Sequence, residues 1–166
     1  MKNIMNPLRI ADDCFLPVPA GFHVLSEEER RAMRVPAEGP WVGMSDPERH
    51  ILVTGGVRPL GRIRSILLSE RDCAAHTETW IRRALKPFGY RGEKLTRREI
   101  AGARAWCFRC TYEAEGVPMC AESCTIKRGG DLIRLHLYAR EERREESFAV
   151  WETILSSAGR RADTSA

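Results

Sequence analysis

The stretch Ala105–Arg140, AWCFRCTYEAEGVPMCAESCTIKRGGDLIRLHLYAR, decides the fold of this chain. Glu115-Gly116 and Gly129-Gly130 are turn-forming pairs that divide it into three segments. In the last segment apolar and polar residues alternate, which is the period-two pattern of a β-strand with two different faces. We therefore predict an antiparallel meander of three strands, over residues 105–114, 117–127 and 131–140.

The four cysteines of this stretch have spacings that suit a metal site. They occur as Cys107-x2-Cys110 and Cys120-x3-Cys124, with one pair on each arm of a predicted hairpin. Thiolates at such spacings are the usual ligands of tetrahedral zinc. The candidate metal ligands are Cys107, Cys120 and Cys124.

The register of the hairpin sets Cys110 apart from these three cysteines. With Glu115-Gly116 as a two-residue turn, Cys107 pairs with Cys124, and the opposite charges of Arg109 and Glu122 also pair. Cys110 then points to the other face, because successive side chains of a strand alternate. The sequence therefore favours cysteines that act as small buried apolar residues over a four-thiolate zinc site. A cross-strand disulfide between Cys107 and Cys124 is the remaining alternative.

Helices are predicted before and after the meander along the chain. Ser26-x2-Glu29 and Ser69-x2-Asp72 are helix caps, and the second opens a long helix that Pro87 and Gly89 end. A closing helix is predicted over residues 142–157. The apolar stripe of the long helix is predicted to pack on the sheet, and it consists of Ala74, Trp80, Ile81, Ala84, Leu85 and Phe88.

The N-terminal part of the chain adds extended elements. Strands are predicted at 41–44 and 50–57, with an edge element at 14–24 and Gly55-Gly56 as a bulge or turn pair. The predicted class is α+β, an antiparallel β-sheet with helices packed on it as an α/β/α sandwich. We expect a flexible leader at 1–13, a single domain at 14–158 and a flexible tail at 159–166.

The composition is that of a globular protein in water. Of 166 residues, 43% are hydrophobic and 30% are charged, with a net charge of +4. No apolar run approaches the roughly 18 residues of a membrane helix, and the N-terminus lacks the apolar core of a secretory signal. We therefore expect a cytoplasmic protein with reduced thiols, no membrane association and no cofactor.

A resemblance to a known family agrees with this architecture. The segment Phe15-x2-Val18-Pro19-x-Gly21-Phe22 resembles the opening strand and turn of the PsbP-like family, which includes the eukaryotic Ran-release factors of the Mog type. The predicted element order over 14–158 is also similar to that of the family. The resemblance implies an α/β/α sandwich in a bacterial branch of a family of binding and accessory proteins. It carries over no partner-binding residues.

A basic stretch is a candidate anion patch. Residues 57–104 carry 12 Lys and Arg against 5 Asp and Glu, and Trp80 or Tyr90 could stack on bases. No nucleic-acid-binding motif frames the stretch, so a solvated helix end and loop is the favoured interpretation, and nucleic acid is not the expected partner. The candidate patch consists of Arg82, Arg83, Lys86, Arg91, Arg97 and Arg98.

The sequence contains no motif that indicates an enzyme. It has no P-loop, no G-x-S-x-G and no evident pair of base and nucleophile. We predict a binding or accessory domain that holds an unknown protein or small ligand on a sheet face or in a helix–sheet groove. The alternatives are a thiol-based metal or redox protein and a weak nucleic-acid binder, and a homodimer through an edge strand stays open. The candidate binding face consists of Trp41, Arg134, His136 and Tyr138.

Overall fold

The structure is a computed structural model that describes residues 6–159. The strands are β1 (Leu8–Ala11), β2 (Cys14–Leu16), β3 (His23–Val24), β4 (Val42–Asp46), β5 (Ile51–Pro59), β6 (Arg91–Gly92), β7 (Thr96–Ile100), β8 (Ala103–Ala114), β9 (Val117–Arg128) and β10 (Asp131–Arg140). The helices are α1 (Glu27–Ala32), α2 (Arg62–Leu67), α3 (Glu70–Leu85) and α4 (Arg144–Ser156). Single 3-10 turns occupy Lys86–Phe88 and Glu141–Arg143.

One antiparallel sheet organises these elements. Its strands follow the order β3-β4-β5-β10-β9-β8-β6, and β7 also pairs with β8. Strands β1 and β2 form a separate hairpin. The predicted α+β class, with helices packed on an antiparallel sheet, is confirmed.

The β8–β9 hairpin has the predicted register. Glu115 and Gly116 both have positive φ, 52° and 80°, as a two-residue turn of type I′ requires. Cys107 lies opposite Cys124, and Arg109 lies opposite Glu122. The period of two then fixes which face of the sheet every side chain of the meander occupies.

The two faces of the sheet have separate hydrophobic cores. On one face, called the α4 face, α4 and the β1–β2 hairpin cover the sheet, and Trp151 is fully buried there. On the other, called the α3 face, Ile81 and Leu85 of α3 pack on Phe108, Cys110 and Ala121. Strands β9 and β10 therefore have almost continuous buried stretches, and over these stretches neither of their faces is exposed to solvent.

A buried carboxylate ties the layers of the α4 face together. Glu122 of β9 is buried and accepts hydrogen bonds from Arg109 Nε at 3.0 Å and from Trp151 Nε1 of α4. It also pairs with Arg98 of β7, whose guanidinium forms a second ion pair with Glu152 of α4 at 2.5 Å. The negative charge that is taken out of water is thus compensated by two guanidinium groups.

Parts of the chain next to the predicted domain boundaries belong to the fold. Residues 8–11, which the sequence assigned to a leader, form β1, because Leu8 and Ile10 are buried in the core of the α4 face. Gly159 pairs through its backbone with Phe15. Residues 1–5 and 160–166 of the expected leader and tail lie outside the described residues.

Gly55 and Gly56 lie inside β5, and the interpretation of this pair as a bulge or turn was wrong. A Cβ on Gly55 would come within 2.5 Å of Ile10, which packs from the β1–β2 hairpin. A Cβ on Gly56 would come within 2.8 Å of the carbonyl oxygen of Pro40 on the opposite face. The two glycines thus let the hairpin and the loop before β4 approach β5 closely.

Replacement of Glu122 by Ala is expected to lower the free energy of unfolding by about 3 kcal/mol, because it leaves the indole N–H of Trp151 without its acceptor and removes the buried charge that pairs with Arg98 and Arg109. Urea denaturation measures the change. Glu152→Ala is the matched control, since this carboxylate is half exposed and should cost less than about 1 kcal/mol. Equal losses in the two variants would contradict the role given to Glu122.

Candidate binding groove

Helix α3 covers only part of its face of the sheet. Ala74, Ile81 and Leu85 of the predicted stripe are buried, but Ala84 is exposed and 49% of Phe88 is exposed. Phe88 lies in the 3-10 turn that contains Pro87, where the helix has already ended. The C-terminal end of the stripe was therefore wrongly predicted to pack on the sheet, and it faces an open space.

This space is an apolar groove of about 870 Å³ between the end of α3, the loop 33–41 and the sheet. Its volume falls within the usual range of small-molecule sites, roughly 300–1,000 Å³. Most of the side chains around it are apolar or aromatic. They include Met33, Val35, Pro36, Leu52, Ala84, Leu85, Phe88, Tyr112, Met119 and Tyr138.

Tyr138 is a polar residue among those that line the groove. The side chain is buried, and its hydroxyl has no hydrogen-bond partner among the described residues. Burial raises the pKa of this phenol, so it keeps its proton at neutral pH. A buried hydroxyl without a partner costs free energy, and a ligand that bonds to it would recover that cost.

A second, smaller cavity lies beside the groove along the same strand. Arg134, His136 and Tyr138 follow one another at two-residue steps on the α3 face of β10, and we call them the β10 row. Arg134 and His136 line the small cavity together with Trp41 and Trp80, whereas Tyr138 lines the groove. The structure thus brings Trp41, Arg134 and His136 together at one cavity. Arg134, His136 and Tyr138 are nevertheless buried under the elements of the α3 face, so the expectation that these residues form an exposed binding face was wrong. Val35 and Pro36 border both spaces.

His136 is a neutral, structurally constrained imidazole. Its Nδ1 lies 2.5 Å from Ser123 Oγ, and burial lowers its pKa to about 4, with a further contribution from the nearby Arg134 charge. Sequence reasoning missed this hydroxyl–imidazole pair. Ser123 is only 5% exposed, and the imidazole has no carboxylate partner among the described residues, so the pair lacks the access and the third group of a hydrolytic triad.

The six cysteines are free and buried. Cys107, Cys120 and Cys124 belong to the core of the α4 face and Cys110 to that of the α3 face, as the register predicted. Burial raises the pKa of Cys120 to about 11 and that of Cys110 to about 12, which disfavours the thiolate that binds metal or attacks disulfides. Among residues 6–159, no cluster of three His, Cys, Asp or Glu side chains could hold a metal ion.

The residues of the predicted anion patch do not share one surface. Arg82 and Arg83 are exposed on α3, and Arg82 pairs with Glu78 at 3.7 Å. Arg98 instead reaches α4, on the opposite face of the sheet, where Glu152 and Glu122 neutralise it. Lys86 is in the 3-10 turn after α3, and Arg91 and Arg97 are on the short strands β6 and β7.

Several residues around the groove gave no signal in the sequence. Leu52 and Met119 occur in predicted strands as ordinary apolar residues, and Glu38 is one residue of an irregular loop. The apolar residues Ile63, Ile66 and Leu67 of α2 are also exposed, but they line neither the groove nor the small cavity. The groove is therefore the better candidate site.

All six thiols are expected to react slowly with a water-soluble disulfide reagent in the native protein and rapidly after unfolding in denaturant, because all are buried and the pKa values of several are raised. Absorbance of the released thiolate counts them. A thiol that reacts at once under native conditions, or fewer than six thiols after unfolding, would contradict this assignment.

His136 is expected to make stability fall as the pH decreases from about 6.5 to 5. The unfolded imidazole binds a proton in this range, and the folded one, with its pKa lowered to about 4, does not. The limiting slope is about 1.4 kcal/mol per pH unit. Urea denaturation at several pH values should show the fall in the parent protein and in a His76→Asn control, and not in His136→Asn. The same fall in His136→Asn would exclude His136 as its origin.

Within residues 6–159, no helix combines the length and the apolar character that crossing a membrane requires. No protein-family model matches the sequence, and a search of curated proteins finds no match.

Solved structures show which fold this is. LpqN, described as involved in cell envelope biogenesis of Mycobacterium tuberculosis, has a TM-score of 0.61 at 17% identity, over 89% of this chain and 82% of that chain. The PsbP protein CyanoP from Synechocystis has a TM-score of 0.63 at 14% identity, over 90% and 87%. A Pseudomonas aeruginosa protein of unknown function has a TM-score of 0.52 at 14% identity, over 92% and 94%. At such identities the likeness establishes the fold alone, and the chain has a PsbP-like fold.

Proposed function

We propose that this protein is a non-enzymatic binding domain that holds an apolar ligand in the groove beside α3. The observation that carries the proposal is the open apolar groove itself, and Tyr138, one of the residues that line it, has a buried hydroxyl without a hydrogen-bond partner among the described residues. Native proteins rarely leave such a group unpaired. A ligand with an apolar body and one hydrogen-bonding group would fill the groove and satisfy the hydroxyl.

The apolar side chains of the groove supply the affinity in this proposal. Phe88 and Tyr112 present aromatic surface on two sides, and Met33 and Met119 are flexible side chains that can adapt to different ligand shapes. Binding of a ligand to this surface removes apolar area from water, which stabilises the complex by about 25 cal/mol per Å² of buried area.

The wider biological assignment belongs to the same proposal. The absence of a nucleophile–base–acid arrangement among the described residues supports an accessory rather than a catalytic role. The descriptions of LpqN and CyanoP name no catalytic reaction. A relation to the Ran-release factors of the Mog type within a bacterial branch is supported by the Phe15–Phe22 motif alone, and a cytoplasmic location by the six free thiols.

The redox, metal and nucleic-acid alternatives have less support. The thiols of Cys107 and Cys124 are fully buried, so a reagent or metal ion would first have to open the core. The basic residues of the patch are divided between the two faces of the sheet. No specific contact favours a redox, metal-binding or nucleic-acid-binding function over ligand binding in the groove.

Ala84→Arg is expected to weaken binding of the neutral apolar dye Nile red by at least about tenfold, or about 1.4 kcal/mol, because Ala84 is exposed and borders the groove. Fluorescence titration measures the affinity. Ala149→Arg is the matched control, since Ala149 is exposed on α4, on the opposite face of the sheet. Circular dichroism checks that both variants fold.

Tyr138→Phe examines the polar part of the same site. It keeps the ring and removes only the hydroxyl, so the loss should be small, about two- to tenfold, for a dye with a carbonyl acceptor. Absence of saturable dye binding to the parent protein, or equal weakening by Ala84→Arg and Ala149→Arg, would contradict the proposed function.

A further inference from the structure

Two guanidinium groups converge on a single carboxylate oxygen above β5 and β10. Glu38 Oε2 lies 2.5 Å from an Nη1 of Arg58 and 2.9 Å from that of Arg134. Glu38 belongs to the loop 33–41, whereas both arginines project from the sheet. The loop therefore places a carboxylate into a site that the sheet builds from two arginines.

The positive charge at this position is only partly compensated. Arg134 is 8% exposed, and its Nε has no hydrogen-bond partner among the described residues. Arg30 donates to the carbonyl oxygen of Trp41 at 2.6 Å, and within residues 6–159 no carboxylate pairs with its guanidinium. Glu38 thus contacts two arginines directly, and a third arginine, Arg30, lies beside the loop. The buried guanidinium group of Arg134, which has a free donor, favours an anion at this position.

The other side chains around the small cavity add no charge to that of the two arginines and Glu38. His136 lines the same cavity, but burial keeps its pKa at about 4, so it is uncharged at neutral pH. Thr54 and Trp80, the other side chains that border the cavity from β5 and α3, are uncharged. The electrostatic character of the cavity therefore comes from Arg58 and Arg134, opposed by Glu38.

The cavity is narrow at Arg134 while Glu38 is in place. Its free volume is about 30 Å³, enough for about one water molecule, so a ligand can reach Arg134 only if the loop carboxylate leaves. Val35 and Pro36 of the same loop form the boundary between this cavity and the groove. Movement of the loop would therefore join the two spaces.

The β10 row sets the geometry of the combined site. Arg134 and Tyr138 are four residues apart on one strand, which places their Cα atoms about 13 Å apart. His136 lies between them, with its ring centroid 6.1 Å from that of Tyr138. A ligand that follows this row would meet cations at one end and apolar surface at the other.

We propose that the groove ligand is an apolar carboxylate whose carboxylate group binds Arg58 and Arg134 in place of Glu38. Guanidinium groups bind carboxylates through charge-assisted hydrogen bonds, and Glu38, whose Oε2 accepts from both Arg58 and Arg134, is the chain's own example of that chemistry. The exchange substitutes one carboxylate for another, so no net charge is added to the cavity. Release of Glu38 frees the loop 33–41 to admit the ligand chain. This inference rests on the proposed function of the groove.

The experiment compares a fluorescent long-chain acid, 11-(dansylamino)undecanoic acid, with its uncharged methyl ester. Glu38→Gln removes the competing charge and is expected to tighten binding of the acid about fivefold without changing binding of the ester. Glu27→Gln is the matched control, because Glu27 makes only a surface pair with Arg31. Arg58→Gln should weaken binding of the acid and not that of the ester. In the parent protein, acetate at high concentration should displace the acid and not the ester.

The possible results separate this inference from the proposed function. If the ester binds and Ala84→Arg abolishes its binding, the groove is a ligand site. Equal affinities of acid and ester, with no effect of Glu38→Gln on the acid, would then overturn the carboxylate subsite alone. If neither the ester nor Nile red binds, the proposed function fails as well. Weaker binding of the acid to Glu38→Gln would also overturn the inference, since Glu38 would then support the site instead of occupying it.

Discussion

Strands β9 and β10 are buried on both faces, and the remaining elements are arranged to meet this constraint. The sheet has eight strands and is seven strands across, so at about 4.8 Å spacing it is about 29 Å wide, whereas one helix covers about 10 Å of it. On the α4 face the β1–β2 hairpin covers the area that α4 does not reach. On the α3 face, among the described residues, α3 is accompanied only by the short helices α1 and α2 and the loop 33–41, which leave part of the sheet open. The uncovered area is the groove.

The two faces also differ in how their polar groups are satisfied. On the α4 face, Glu122 is hydrogen-bonded or paired with Arg98, Arg109 and Trp151, so its charge is fully used within the fold. On the α3 face, the hydroxyl of Tyr138 and the Nε of Arg134 have no partner in the described part of the chain. Ser147 Oγ and Arg128 Nη2 on the α4 face are also without a partner in this part of the chain. The α3 face differs because the unpaired groups of Tyr138 and Arg134 belong to residues that line the groove and the small cavity, and we therefore assign binding to that face.

Sequence patterns were sufficient for the central meander and for β4 and β5, and insufficient for the edge strands β6 and β7 and for the site. The turn at Glu115-Gly116 and the period of two placed Cys107 opposite Cys124, because register in a tight hairpin depends only on local residues. The same period of two places Arg134 and His136 at one cavity, whereas Trp41 reaches it from the irregular loop 33–41. The ion pairs of Glu38 depend on an irregular loop packing across the sheet, and the exposure of Phe88 depends on where α3 ends relative to β9. Neither feature is marked by a periodic pattern of residues in the sequence.

The central claim is that the uncovered part of the α3 face is a ligand site. Methionine methyl groups labelled with ¹³C test it directly, because Met33 and Met119 line the groove and Met44 is buried in the core of the α4 face. Addition of a neutral apolar ligand should shift the NMR signals of Met33 and Met119, and leave Met44 unchanged. Unchanged signals for Met33 and Met119 at saturating ligand, or an equal shift of Met44, would contradict the account.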